Sequence, residues 1–428
     1  MSLTDHPLRY KLANELHARP FPAIDSPATG VFLAIKQPEE AVSRDRQADL
    51  DHLIALLDRF GAPHPQPGAI HYSGQIGRHL LKWEQHTEFV TYTAFSSGAS
   101  ARDFDPADFA VFPEDWLAQV PGQRITSALL RIETLGDDAE DNDVFEIMND
   151  WFVPESLAVS SVLDGAAIVA SDFRIDPAGH LRFAMFLRPD TGKRRIGRIA
   201  QRLFEIETYK SMSMLGFSRA RDLSAPVGRL DNTLSELMVE MTKGTVPAEQ
   251  TLPALLSVSS ELETLAARSS FRFGATGAYA AIVTQRIGAL RETRLAGRQT
   301  FADFMMRRYE PAMRTVASSE ARLQALADRS IRAGELLRTR VDVERSAENQ
   351  ALLSSMDRRA DLQLRLQHTV EGLSVVAISY YAVSLAGYLV YPLTAATGLS
   401  KGMLTALITL PVVALVWWAI RRIRKSLD

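Results

Sequence analysis

The sequence predicts an α/β N-terminal domain built on a mixed sheet, followed by long helices and a C-terminal hairpin of two transmembrane helices. Three observations carry this prediction. Strand-like patterns are confined to the first 190 residues, helical composition takes over afterwards, and two apolar runs near the C-terminus carry no charge.

Thr29–Ile35 (TGVFLAI) is a short apolar strand. Pro38 with Glu39 and Glu40 opens a helix that Gly61 closes, and Leu50, Leu53, Ile54, Leu57 and Phe60 give it a core face at helical spacing. Gly77–Trp83 and Thr87–Phe95 read as adjacent strands, and Ile125–Leu135 as another. Ala166–Ile175 and His180–Arg188 form a hairpin, because Asp176-Pro177-Ala178-Gly179 places Asp, Pro and Gly where a type I turn favours them. Leu181, Phe183, Met185 and Leu187 alternate inward against outward Arg182 and Arg188, which predicts one wet face or edge on the sheet. The domain spans residues 1–190.

Beyond Thr191 no strand is expected. Residues 191–297 carry helical patterns such as Ile196, Ile199, Leu203 and Ile206, and residues 298–371 read as a stalk with Pro311 as its main break. Leu326, Ser330, Ala333, Leu337, Val341, Leu352 and Met356 trace its apolar stripe, too irregular for a coiled coil. No Gly or Pro lies between Glu335 and Glu371, so one helix is expected to run directly into the membrane.

The hairpin spans 372–391 and 402–420, each near the ~20 residues a bilayer core requires. Pro392 stops the first helix, and residues 397–402 make the turn. Arg358, Arg359 and Arg365 precede the pair, Arg421, Arg422, Arg424 and Lys425 follow it in the basic tail 421–428, and only Lys401 lies between. The positive-inside rule therefore puts both termini in the cytoplasm. Trp417 and Trp418 fall at the inner interface, with Tyr388 and Tyr391 near the outer one. Tyr380, Ser384, Tyr388 and Tyr391 form one polar stripe, either a helix–helix interface eased by Ala386 and Gly387 or the lining of a pore built by several subunits. No Asp, Glu, Arg or His sits inside either span, which argues against a proton relay. Pro411 predicts a kink in the second span.

The 428 residues carry a net charge of -3 and no cysteine. Bulk nucleic-acid binding has no support, and disulfides, thiolate metal sites and a Cys nucleophile are excluded. The N-terminal residues have no apolar core, so neither a signal peptide nor a transit sequence is expected.

Candidate chemistry is sparse. The acidic run Asp137, Asp138, Glu140, Asp141 and Asp143 offers oxygen ligands for a divalent cation but lacks the Gly and distal Glu of an EF-hand, and a solvated helix N-terminus explains it more simply. His17 and Arg19 either hold an anion or pin the N-terminal arm to the domain. His71, His79 and His86 lie on or beside predicted strands, and a hairpin would bring the last two together for a metal, although no carboxylate accompanies them. Phosphate-loop, dinucleotide, zinc-protease and nucleophile-elbow motifs are absent, and close helix packing accounts for Gly274 and Gly277. No enzyme activity and no cofactor are expected.

Asn14–Phe21 (NELHARPF), Leu203–Tyr209 (LFEIETY), Tyr309–Thr315 (YEPAMRT), Leu337–Val343 (LRTRVDV) and Ser355–Tyr381 resemble the markers of a bacterial family of uncharacterised membrane-anchored proteins, a domain of unknown function. The order of parts, and locally Leu373–Tyr391, is also similar to the CorA magnesium-channel superfamily. That likeness implies a divalent cation as partner, and a stalk running into a two-span hairpin that cannot enclose a pore alone leads to the expectation of a homo-oligomer in the bacterial inner membrane. Where those channels carry Gly-Met-Asn, this chain reads Tyr391-Pro392-Leu393-Thr394. The expected function is thus an oligomeric sensor or scaffold anchored in the lipid bilayer, with a CorA-like cation channel or transporter and a membrane-tethered enzyme as alternatives.

Overall fold

The computed structural model describes residues 3–15, 21–38, 44–136, 141–243, 246–393 and 400–424. They fall into two compact units, Met1–Thr242 with Pro253–Ala333, and Lys243–Leu252 with Gly334–Asp428.

The first unit is organised by nine strands in one mixed sheet of order β2-β3-β4-β1-β5-β8-β7-β6-β9. They are β1 (Ala28–Lys36), β2 (His71–Ile76), β3 (His79–Gln85), β4 (Phe89–Ser97), β5 (Gln123–Thr134), β6 (Ala158–Val162), β7 (Ala167–Ser171), β8 (Leu181–Leu187) and β9 (Thr293–Arg294). Every neighbouring pair is antiparallel except β5 and β8, which run parallel with Ala128 opposite Leu181. The predicted hairpin is present, with Gly179 donating to the carbonyl of Asp176 at 2.9 Å and adopting φ of 90°. A left-handed φ of this kind favours glycine.

The expected wet face is corrected. β8 buries Phe183 and Met185 on one side but Ala184 and Phe186 on the other, and Arg182 reaches the buried carboxylate of Asp172 while lying over the rings of Phe104 and Phe152. A guanidinium on a long apolar stem tolerates that setting, so an inward arginine mimicked an outward one in the sequence pattern. One face is covered by α2 (Arg46–Arg59), α3 (Glu114–Leu117) and α4 (Asp141–Trp151), whose Leu53, Trp116 and Met148 join Leu33, Trp83 and Tyr92. The other is covered by α5 (Lys193–Lys243) and α6 (Ala248–Leu290), with Leu203, Phe204 and Val283 against Phe32, Leu130 and Phe183.

Other expectations are also corrected. α2 begins after Asp45, whose carboxylate accepts from the amides of Gln47 and Ala48, and not at Pro38. Glu39 and Glu40 lie outside the described residues. β9 is a strand beyond Thr191, paired to β6. Gly274 and Gly277 have open space where a side chain would go; the close approach is at Gly216, where a Cβ would stand 2.1 Å from Thr276 Oγ1. α7 (Phe301–Phe304), N-terminal to Pro311, leads through a π-helical turn at Met305–Tyr309 into α8 (Glu310–Val390), so Pro311 falls in the opening turn of a helix and breaks nothing.

In the second unit, α8 continues without interruption to Val390 and is followed, after residues 394–399, which are not described, by α9 (Lys401–Arg424). Leu337 and Val341 are buried, whereas Leu352 and Met356 are 61% exposed, contrary to the predicted stripe. Residues 345–370 are exposed on every side of the helix. Both α8 and α9 contain a window apolar and long enough to cross a membrane, with mean hydropathy 1.7 and 2.2, and each window is only 6% buried.

Candidate functional site

In the first unit, β3 and β4 are joined by His86, Thr87 and Glu88, and the His86 amide closes the turn on the Phe89 carbonyl at 2.8 Å. Two arginines fix this turn from opposite sides of the chain. Arg44 precedes α2, and its buried guanidinium donates to the carbonyls of Thr87 (3.1 Å), Phe89 (3.3 Å) and His86 while pairing with buried Asp49. Gln85 also donates to Asp49, at 3.2 Å. Arg272 on α6 grips Glu88 with both terminal nitrogens, and the Tyr279 hydroxyl donates to the same carboxylate at 2.8 Å. Glu88 is 1% exposed, so its charge is tolerable only because it is paired and hydrogen-bonded.

Lys36, buried at the end of β1, donates to the carbonyls of Gln37 (2.6 Å) and Pro38 (3.5 Å). Burial lowers its pKa below the usual lysine value, the nearby charge of Arg272 lowers it further, and Glu88 opposes both. Burial likewise raises Asp49 against the pull of Arg44, and burial followed by the Glu88 charge drives the Tyr279 phenol upward. Three cations (Lys36, Arg44 and Arg272) therefore face two carboxylates at one end of the sheet.

Two cavities adjoin this cluster and share His86, Phe89 and Tyr209 as walls. The inner one, about 30 Å³ between the sheet and α5, has room for a water molecule or two. Lys82 lines it, bound to Gln201 at 2.7 Å and Glu84 at 3.1 Å. The outer one is an open cleft of about 290 Å³ whose rings pack on one another: His86 stacks on Phe89 at 4.3 Å, and Tyr209 lies 5.5 Å from Tyr279. Arg46 stands on its wall.

The second unit holds a cleft of about 330 Å³ near the junction of α8 and α9, lined by Ser384, Gly387, Tyr388, Tyr391, Lys401 and Thr405. Three of the four stripe residues meet there; Tyr380, 70% exposed, is outside it and packs edge-to-face on Tyr381. The Lys401 ammonium lies 5.7 Å from the Tyr391 ring, and Arg421 and Arg422 lie over Trp417 and Trp418. Ser379, which sequence reasoning passed over, is 6% exposed and its hydroxyl has no hydrogen-bond partner among the described residues. Arg358, Arg359 and Arg365 occupy the exposed stretch of α8, and Arg424 ends α9.

A family model described as protein of unknown function (DUF3422) matches residues 4–427. The chain belongs to the DUF3422 family. Comparison with curated proteins gives no match. In this DUF3422 chain, His17, Arg19, Asp137, Asp138, Glu140 and Lys425 lie outside the described residues; Asp141 and Asp143 begin α4. The histidines do not converge as a hairpin would place them. His79 opens β3 and His86 follows its last residue, so they stand at opposite ends of one strand, while His71 on β2 faces Glu84. His79 bonds Ser96 at 2.6 Å, and no group of three metal-ligating side chains occurs among the described residues. Glu88 and Arg272 lie 184 positions apart, and no local pattern pointed to either; the only hint was a charged residue entering an apolar strand pair.

Proposed function

We propose that this DUF3422 protein is a membrane-anchored homo-oligomer whose α/β part is a cytoplasmic ligand sensor or scaffold. One observation carries the reading. The apolar windows of α8 and α9 are 6% buried, whereas an equally apolar core helix of a soluble protein would be mostly covered. Lipid is the cover that matches their length. The same logic extends to residues 345–370, where Leu352, Leu353, Met356, Leu362, Leu366 and Val370 are exposed on an unsupported helix. An isolated helix in water gains little without tertiary packing, and a second copy anchored in the same membrane supplies it. The succession of α/β domain, long helix and two spans is the CorA-like layout, in the inner membrane with both termini cytoplasmic.

The chain has no cysteine, so single introduced thiols report topology cleanly. Ser400→Cys is expected to react with a membrane-impermeant maleimide in intact cells, and Thr4→Cys only after lysis. Equal labelling of both refutes the topology, and recovery of the protein in the soluble fraction refutes the anchor. A strictly monomeric mass by light scattering in detergent refutes the oligomer.

The cleft at Ser384, Tyr388 and Tyr391 favours a second reading, divalent-cation conduction along the hairpin. Liposome flux of Mg²⁺ decides it: Ser384→Ala with Tyr388→Phe is expected to change the flux, and absence of flux in the native protein rules it out.

A further inference from the structure

The outer cleft beside the β3–β4 turn combines features that select a ligand. Its walls present the rings of His86, Phe89, Tyr209 and Tyr279, and its volume of about 290 Å³ suits one small planar molecule. Aromatic walls alone would equally suit a cation, as an aromatic cage does. The charges around them decide otherwise. A cation in such a cage is held more tightly when a free carboxylate stands beside it, and both carboxylates of the cluster are already paired: Glu88 with Arg272 and Tyr279, Asp49 with Arg44 and Gln85. Arg46 is exposed at the wall and has no ion pair among the described residues. Among the described residues that line the cleft, Arg46 is the only Asp, Glu, Lys or Arg, and a guanidinium meets carboxylate or phosphate oxygens in a two-pronged geometry.

We propose that this cleft binds a planar aromatic anion, its ring against Tyr209 and Tyr279 and its carboxylate or phosphate on Arg46. This rests on the sensor reading of the α/β part and is independent of how the chain is anchored or assembled. The Tyr279 hydroxyl is spent on Glu88, so its ring serves the ligand while its oxygen serves the fold. Stacking is tolerant of ring identity, and the anionic group therefore carries the discrimination.

The test is titration calorimetry on the full-length protein in detergent, with 4-hydroxybenzoate and adenosine monophosphate as probes. Their neutral counterparts are 4-hydroxybenzamide and adenosine, and inorganic phosphate controls for charge without a ring. At least one anion is expected to bind about tenfold or more tighter than its neutral counterpart, as one charge-assisted contact allows, and which one binds tells a carboxylate source from a nucleotide source. Arg46→Ala, on the surface and harmless to the core, is expected to abolish that preference; Tyr209→Leu is expected to weaken charged and neutral probes alike. Anions that bind no tighter than neutral counterparts, or a preference that survives Arg46→Ala, overturn the inference. A broad screen in which no small molecule raises the melting temperature sinks the sensor reading itself. A screen that finds a ligand indifferent to Arg46 sinks only this one.

Discussion

Replacing Glu88 by Gln isolates the ion pair that ties α6 to the sheet. The amide keeps the shape and still accepts from the Tyr279 hydroxyl, so the perturbation is the loss of one buried negative charge. Removing one member of a buried pair costs about 3–5 kcal/mol. The Arg272 side chain retains 16% exposure, against 1% for Glu88, which lets water soften the stranded cation and places the expectation near 3 kcal/mol at the low end of that range. A domain stable by about 5–15 kcal/mol loses a large fraction of its margin. Arg272→Met in the Glu88→Gln background removes the stranded charge, and the double variant is expected to recover about 2 kcal/mol relative to additivity. Denaturant unfolding of the full-length protein in detergent, followed by tryptophan emission, measures Glu88→Gln, Arg272→Met and the double variant. A single-variant effect below about 0.5 kcal/mol, or strict additivity of the two substitutions, would refute the reasoning.

Three further outcomes follow from the first unit. Gly197→Ala would set a Cβ 1.8 Å from the carbonyl oxygen of Pro22; backbone cannot yield as a side chain can, so unfolding should show a loss of about 2 kcal/mol. Burial lowers the pKa values of His52, His79 and His180 from 6.5, so their stabilising contribution is present above pH 6.5 and is lost as pH falls through that value toward their folded ones. His52→Phe, which also removes bonds to Tyr92 and the Trp116 carbonyl, should lower stability yet flatten that acid slope, and a slope unchanged in a pH series of melts would count against it. Tyr279 behaves in the opposite sense: its raised pKa gives stability that is whole below pH 10 and lost as pH rises beyond. Tyr279→Phe should therefore lose less stability between neutral and alkaline pH than the native chain.

Local chemistry made part of this legible in advance. β1, β3, β4, β5 and the β7–β8 turn announce themselves because short apolar runs and Asp-Pro-Ala-Gly act over a few residues. β2 (HYSGQI) stays hidden because an edge strand with polar side chains has no apolar period to read, and β9 because two residues hold no period at all. The sheet's second cover escaped notice for another reason: Arg182 is polar yet directed inward. The charged cluster was invisible since Lys36, Arg44, Glu88 and Arg272 come from four separate segments, brought together by the β1–β4 register, the lead into α2 and the packing of α6 on the sheet. The apolar helices at the C-terminus were the plainest signal, for uncharged length needs no tertiary information.

The lone parallel contact in the sheet has a consequence for how the first unit assembles. Strands β2, β3, β4, β1 and β5 can close on themselves as an antiparallel group, and β8, β7, β6 and β9 as another. Within the sheet, only the β5–β8 ladder joins the two groups, and the chain must traverse α4, β6 and β7 before β8 can reach β5. Entropy penalises such a distant closure relative to hairpins. The two groups are thus natural cooperative blocks with a suture between them, and amide exchange at Ala128–Thr134 and Leu181–Leu187 reports when that suture opens.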